Sequence, residues 1–542
     1  MNNNNKNSNN NFLIQGSILA IAGILVRLIG LAYRIPLRRI IGAEGMGYYS
    51  VAFEVYSVIL LLSSYSLPLA VSKMISARLT KEDYINANRI FKAAMVYATI
   101  IGFIGCMFVF LSADWFANVF YKLPLCKYAL ISLAPTIWIM TYLGVLRGYY
   151  QGHSTMVPTA LSQIIEQIVN AAVSVGAAYW LCHMALNDAL GKSVASGYGA
   201  AGGTIGTGAG ALSALILLII MFLVGRKAWN EKVVLSEQSG VRKESYKEIT
   251  KVLFLTIIPV ILSTAVYNIS GIIDSTIFAN IMEGVFGSEA SAVATDYGTY
   301  TGDFKTLTNI PIAIANALSS SLIVTMTTAV TNNDRKGVQE GITSALRFTV
   351  MIALPASVGL TVLGGPIVKL LFDSGELAAT MTLIGSSAVL FFSISTVTNA
   401  ILQGNGYMRL PVIHAFISLG IHIAAILIML LVFKMGIFSI VIANIIFALS
   451  MCILNGYSMR KRIGYIQDVK YTYILPLICS SVMGIVTYAV RYLIEKYLTR
   501  SSLVVTFICL IVAVIVYIIM ILITGCIRKE ELKRFPIIRK FV

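Results

Sequence analysis

The length of its apolar runs limits this chain more than any other feature. Fourteen blocks are each long enough to cross a bilayer: roughly 12–33, 46–70, 89–112, 126–147, 156–182, 206–225, 250–273, 305–330, 343–371, 378–402, 410–433, 437–458, 470–491 and 502–526. About 30 Å of hydrocarbon takes about 20 helical residues. In lipid the backbone must satisfy its own hydrogen bonds, so blocks of this length are read as helices. Of the 542 residues 57% are hydrophobic and 12% charged, about half the charged fraction of a soluble domain. A water-soluble enzyme, a nucleic-acid module and a disordered chain are thereby excluded. The expected fold is an all-α polytopic membrane protein with 14 transmembrane helices.

The charges orient these spans. Net charge is +17, from 41 Lys+Arg against 24 Asp+Glu. With the N-terminus inside, 28 basic residues fall in inside segments and 12 in outside ones, with Arg27 left within the first span. Basic residues collect on the cytoplasmic side, so both termini are expected in the cytoplasm, and the excess charge is a topology signal, not a sign of a nucleic-acid partner. Residues 1–11 read as a disordered polar tail and 527–542 as a basic cytoplasmic tail. The run from Phe12 is too long for a signal-peptide core, holds Arg27 and lacks a small-residue cleavage site, so it is read as a retained span. The seven cysteines form no CxxC pair or Cys/His cluster, which supports neither a disulfide framework nor a metal site. No cofactor is expected. The longest loops, 183–205, 226–249 and 274–304, are too short for a domain, which disfavours a membrane glycosyltransferase or ligase.

A repeat runs at an offset of 252 residues. Leu111 and Phe120 close the third span, Leu363 and Phe372 the ninth. Gln151-Gly152 follows the fourth span and Gln403-Gly404 the tenth, each leading through a Met (Met156, Met408) to a Pro (Pro158, Pro411). An offset of six spans preserves orientation, so two parallel six-helix lobes around a central cavity are expected: 12–225 and 250–458, with a basic linker at 226–249 and spans 13 and 14 in 459–526. Parallel repeats of this kind rock about a central site in transporters.

Ionisable residues inside spans are costly and usually face a cavity or a partner. On an ideal helix Arg34 and Arg38 lie within about 20° of Arg27, forming a basic stripe, with Pro36 expected to kink it. Guanidiniums facing a cavity suit an anion, above all a phosphate or diphosphate; for Arg34 and Arg38 snorkelling to headgroups is the competing reading. Lys305, at the outer start of span 8, is a candidate cation from the second half. Glu54 is a candidate partner of Arg27 or an ion site. Gln163, Glu166, Gln167 and Asn170 share one helical face of span 5, which either bonds between helices or meets sugar and peptide groups of a substrate. Asp274 is a candidate for cation coupling. His414 and His422 are read as packed or hydrogen-bonded. Gly202, Gly206 and Gly210 are read as a close helix contact, and Pro68, Pro259, Pro311 and Pro355 as marks of bent helices.

Several motifs resemble a known group. They are Val26-Arg27-Leu28-Ile29-Gly30, Ile41-Gly42-Ala43-Glu44-Gly45-Met46-Gly47-Tyr48-Tyr49, Leu67-Pro68-Leu69-Ala70-Val71-Ser72-Lys73-Met74-Ile75-Ser76, Leu146-Arg147-Gly148-Tyr149-Tyr150-Gln151-Gly152 and Ile401-Leu402-Gln403-Gly404. Together they resemble the polysaccharide-transporter branch of the multidrug/oligosaccharidyl-lipid/polysaccharide exporter superfamily, closest to its sporulation proteins and lipid II flippases. The resemblance implies a V-shaped pair of six-helix lobes that flips an undecaprenyl-diphosphate-linked sugar, with cationic cavity residues. The family's first-span arginine falls on Arg27. A second falls on Tyr33, beside Arg34, and the basic residue of span 8 falls beside Lys305. The arginine pattern expected late in span 2 is absent.

The function expected is therefore a flippase for a polyprenyl-diphosphate-linked cell-wall precursor in the bacterial cytoplasmic membrane, working by alternating access, and not an enzyme. Expected partners are the lipid-linked glycan, membrane lipids and cell-wall synthesis enzymes. The driving force is expected from Na+ or H+ coupling or from membrane potential. A multidrug/cation antiporter of the same superfamily is the alternative.

Overall fold

A computed structural model describes residues 18–19, 21–238, 242–331, 334–498 and 501–526; the side chains of 259–260, 262–268, 318, 320–321, 323–325 and 328 are not described. The expected tails, 1–11 and 527–542, and the side chain of Pro259 lie outside the described residues. What is described consists of helices and their connections. Eleven of these helices are long and apolar enough to cross a membrane. The other three expected spans fall on 12–33, described in part, and on the helices Tyr246–Gly284 and Lys305–Thr331. The chain divides into two compact units, Met1–Gly298 and Thr299–Val542.

The first unit begins with α1 (Ile21–Ala32). Tyr33 is a turn, and α2 (Arg34–Leu60) restarts immediately, then bends at Gly42, whose φ of 72° suits a residue without Cβ. A π-helical turn (Leu61–Tyr65) leads to α3 (Leu67–Leu79), where Pro68 sits in the first turn and forfeits no intrahelical bond. α4 (Tyr84–Trp115) is capped by Asp83, which accepts from the Asn86 amide, and closes in a π turn at Phe116–Phe120. Next come α5 (Cys126–Gly152), α6 (Val157–Asn187), α7 (Lys192–Gln238), α8 (Tyr246–Gly284) and α9 (Ala290–Gly298).

Much of what the sequence suggested as long loops is helix. Of 183–205, only 188–191 lies outside α6 and α7, and α8 and α9 take up much of 274–304. The reason is packing. A Cβ at Gly202 would stand 2.5 Å from the Ala178 amide nitrogen, and Cβ atoms at Gly206 and Gly210 would overlap Ser174 and the Glu166 carbonyl. The glycine ladder thus lets α7 lie directly on α6, as its spacing suggested, and this closeness outweighs the poor helix propensity of glycine.

The linker is docked rather than free. Arg78 grips Glu244 with two bonds of 3.0 and 2.9 Å, Arg89 donates to the Glu244 carbonyl, and the Asn86 side chain bonds both Arg242 and Glu244 backbone. Ser245 and Glu248 then form a capping box that opens α8, and the bonds Glu248 accepts there hold its carboxyl below the usual range.

The second unit opens on a π turn (Thr299–Phe304). It continues with α10 (Lys305–Thr331), α11 (Arg335–Phe372), α12 (Glu376–Gly385), α13 (Ser387–Gly404), α14 (Arg409–Leu431) and α15 (Phe438–Ser458). Further π turns at Met459–Ile463 and Lys470–Ile474 precede α16 (Leu475–Tyr497) and α17 (Ser502–Thr524). The α16–α17 pair packs on α11 through Leu363, Ile494, Val505 and Cys509. Helix boundaries follow the sequence repeat. The π turn after α4 ends at Phe120 and α11 at Phe372; α5 ends at Gly152 and α13 at Gly404; α6 starts at Val157 and α14 at Arg409. The division into compact units falls later than the linker, so α8 and α9 belong to the first unit.

Candidate substrate and ion site

In the first unit α2 and α9 touch backbone to backbone. Gly47 lies against the Ala294 carbonyl and Gly298 against the Ala43 carbonyl, so that a Cβ at either would overlap those oxygens. This crossing brings Tyr297 of α9 to Glu54 of α2, and its phenol donates to Oε1. Ser275 of α8 donates to Oε2 of the same carboxylate, and Gly271 of α8 lies beside it. The Glu54 carboxylate is therefore held from two further helices, α8 and α9. Asp274, next to Ser275, is 1% exposed. A half-buried carboxylate with two hydroxyl donors and a buried carboxyl on a neighbouring helix is chemistry suited to a proton or a small cation. Among the described residues, no group of three or more His, Cys, Asp or Glu is placed to hold a metal ion.

The polar face of α6 divides three ways. Glu166 pairs with Arg147 of α5 at 2.6 Å, and Arg147 Nε donates to Ser162 at 3.0 Å. Gln167 reaches toward Gly30 of α1, 3.7 Å from where a Cβ would stand there. Asn170, expected to line a cavity or to bond between helices, is buried beside Gly210 of α7 and accepts from Ser174 at 2.8 Å. Gln163 is half-buried on the same helix.

The basic stripe is graded across the turn at Tyr33, which separates α1 from α2. Arg27 is exposed, Arg34 half-buried and Arg38 buried, 8% exposed. Tyr33 and Tyr49 join their hydroxyls at 3.2 Å beneath the turn. Lys305, in the second unit, opens α10 with its ammonium 5.0 Å from the Tyr300 ring centroid. His414 is hydrogen-bonded at both ring nitrogens, and His422 is buried edge-on to Phe447.

Sequence reasoning missed Arg147, Ser275 and Tyr297 as site neighbours. Arg147 looked like an inside-end topology charge, and the two hydroxyl residues carry no local signal. What could have pointed to Arg147 is its place near the end of one span, 19 residues before a carboxylate in the next.

A helical bundle with charged residues inside its spans and helix boundaries repeating between halves has the architecture of a membrane transporter. The family described as "Polysaccharide biosynthesis protein" matches residues 13–329, more than half of the chain, and the chain belongs to that family, in the polysaccharide-transporter branch of the exporter superfamily. It is 26% identical over 511 residues to the lipid II flippase MurJ of Bacillus subtilis (strain 168), covering 90% of each chain. To stage V sporulation protein B of the same organism it is 23% identical over 532 residues, covering 98% of this chain and 99% of that one. Two solved structures share its fold. One is a lipid II flippase MurJ in an inward closed conformation (TM-score 0.69, 15% identity, 93% of this chain and 97% of that one). The other is an inward-facing multidrug resistance MATE family transporter (TM-score 0.66, 16% identity, 82% and 98%). The lipid II flippases and the MATE protein among these relatives are transporters, not enzymes, and the chain is a multi-pass bacterial membrane protein.

Proposed function

We propose that this protein is a flippase for a polyprenyl-diphosphate-linked cell-wall precursor, working by alternating access. The observation that carries the reading is the likeness to a lipid II flippase over 90% of both chains. The exposed guanidinium of Arg27 on α1 supports it from chemistry. Arg27 and the half-buried Arg34 are the diphosphate ligands in this reading, since planar forked donors match phosphate oxygens. Arg38, being buried, is left out of the ligand set. Gln163 and Gln167 meet the headgroup, and Glu54 with Asp274 takes the coupling cation, Na+ or H+. Both termini face the cytoplasm, as the basic residues indicate.

The test is flipping of a labelled polyprenyl-diphosphate-sugar in proteoliposomes. Wild type should flip it, and Arg27→Ala, in folded protein, should slow flipping at least about tenfold, the loss expected for a charge-assisted contact. Lys305→Ala, run in parallel, asks whether a cation of the second unit matters too. The resemblance to the MATE transporter fold favours a second reading, a multidrug/cation antiporter. Wild type that flips none of several such lipids but exchanges cationic drugs for protons or sodium would establish the antiporter instead.

A further inference from the structure

The second unit holds a polar cup that the proposed transport cycle does not use. A cavity of about 390 Å3 opens where α11 and α16 end and α12 and α17 begin, and Lys369, Glu376, Arg491, Glu495 and Ser502 line it. α16 and α17 are consecutive candidate spans joined by a few residues, so this end of the pair lies at a membrane–water boundary.

Among the described residues the lining carries two cations and two carboxylates. Arg491 commits Nε to Glu495 at 2.8 Å and Nη1 to the Val362 carbonyl at 2.6 Å. A guanidinium has five donors, so its Nη2 stays available to a ligand. The Lys369 side chain is exposed and has no ion pair or hydrogen bond among the described residues, and Glu376 is exposed as well. The first turns of α12 and α17 lack side-chain caps and add backbone N–H groups to the same end.

A second cavity, about 500 Å3 and almost wholly apolar, runs along the same helices, lined by Leu363, Ile367, Leu510 and Val514 among others. Leu363 and Ile367 of this groove share two turns of α11 with Lys369 of the cup. A zwitterionic cup above an apolar groove is complementary to a lipid whose head carries one phosphate and one amine. The phosphate would meet Arg491 and Lys369, and the ammonium Glu376 and Glu495. A head with negative charge alone would give the exposed Glu376 carboxylate no cation, and a choline head has no N–H to give it.

We infer that the cup and groove form a binding site for a membrane aminophospholipid of the phosphatidylethanolamine kind. The experiment is native mass spectrometry of the full chain, delipidated in detergent, with phosphatidylethanolamine, phosphatidylcholine, phosphatidylglycerol and inorganic phosphate added separately. The expected result is retention of phosphatidylethanolamine over each other lipid by about tenfold. Lys369→Ala and Glu376→Gln, both at exposed side chains, should each bring it down to the phosphatidylcholine level without changing the lipid-free melting temperature. Equal retention of the three lipids, preference for phosphatidylglycerol, displacement by inorganic phosphate alone, or both variants behaving as wild type would overturn the inference.

Discussion

In the α5–α6 pair of the first unit and the α13–α14 pair of the second, the end of the first helix and the start of the next match 252 residues apart, yet different chemistry ties them together. In the first, Arg147 bridges to Ser162 and Glu166. The corresponding positions in the second hold Asn399, His414 and Ser418. There Asn455 of α15 donates to Thr398 and Asn399 at 2.9 and 2.8 Å, and its Oδ1 lies 2.7 Å from His414 Nδ1. With both amide hydrogens of Asn455 used, that oxygen must accept, so His414 donates from Nδ1, and its Nε2 lies 3.1 Å from the Ser458 hydroxyl. One scaffold position thus carries an ion pair in one half and a neutral network in the other. Ion pairs inside apolar surroundings are a poor source of stability. A pair kept in one half only is therefore better explained by what that half does, and it is the half holding Arg27 and Glu54.

The comparison breaks most readily at Arg147. Arg147→Ala leaves Glu166 unpaired among packed helices and should cost about 3 kcal/mol or more. Asn399→Ala, its counterpart, should cost only about 1 kcal/mol. Unfolding of both variants in detergent measures the gap, and equal losses would end the distinction. A second contrast concerns backbone contact. Gly298→Ala pushes a methyl into the Ala43 carbonyl and should cost about 2–3 kcal/mol, whereas Gly385→Ala meets only side-chain atoms, of Phe304 and Val441, and should cost about 1. Melting temperatures of the two variants check this order.

Hydroxyl donors sharpen the contrast between charged and neutral bonding. Tyr297→Phe removes a bond to the Glu54 carboxylate and should cost about 2 kcal/mol; Tyr300→Phe removes one accepted from Asn444 at 3.0 Å and should cost about 1. Chemical denaturation resolves a difference of that size. The smallest effect is expected at His153, at the end of α5, packed against Tyr149 and Trp229. Burial pulls its pKa below the ordinary 6.5, partly offset by the Tyr149 carbonyl and reinforced by Lys232. A lowered folded pKa means that its contribution is intact above pH 6.5 and is lost as pH falls through the folded value. Trp229 fluorescence should therefore change below pH 6.5, and His153→Gln should abolish the change.

Much of the fold was legible because its causes are local. Apolar run length reports bilayer thickness, and Gly202, Gly206 and Gly210 announced a close helix contact. The bend at Gly42 and the continuation of helix through 192–205 were not legible, since both depend on what packs against them. The candidate site was half legible. Glu54, Asp274 and Glu166 stood out as charges in apolar runs, but their partners did not.

By itself, then, the sequence determined an all-helical membrane protein, the 252-residue repeat and the carboxylates to watch, because span length and in-span charge are properties of neighbouring residues and of the bilayer. Only the tertiary structure decided that Glu54 takes its hydrogen bonds from Ser275 and Tyr297, 221 and 243 residues away, and that Asn170 faces α7. The physical reason is that such partners depend on where two helices cross, and here the crossings are set by glycines that let one backbone rest on another.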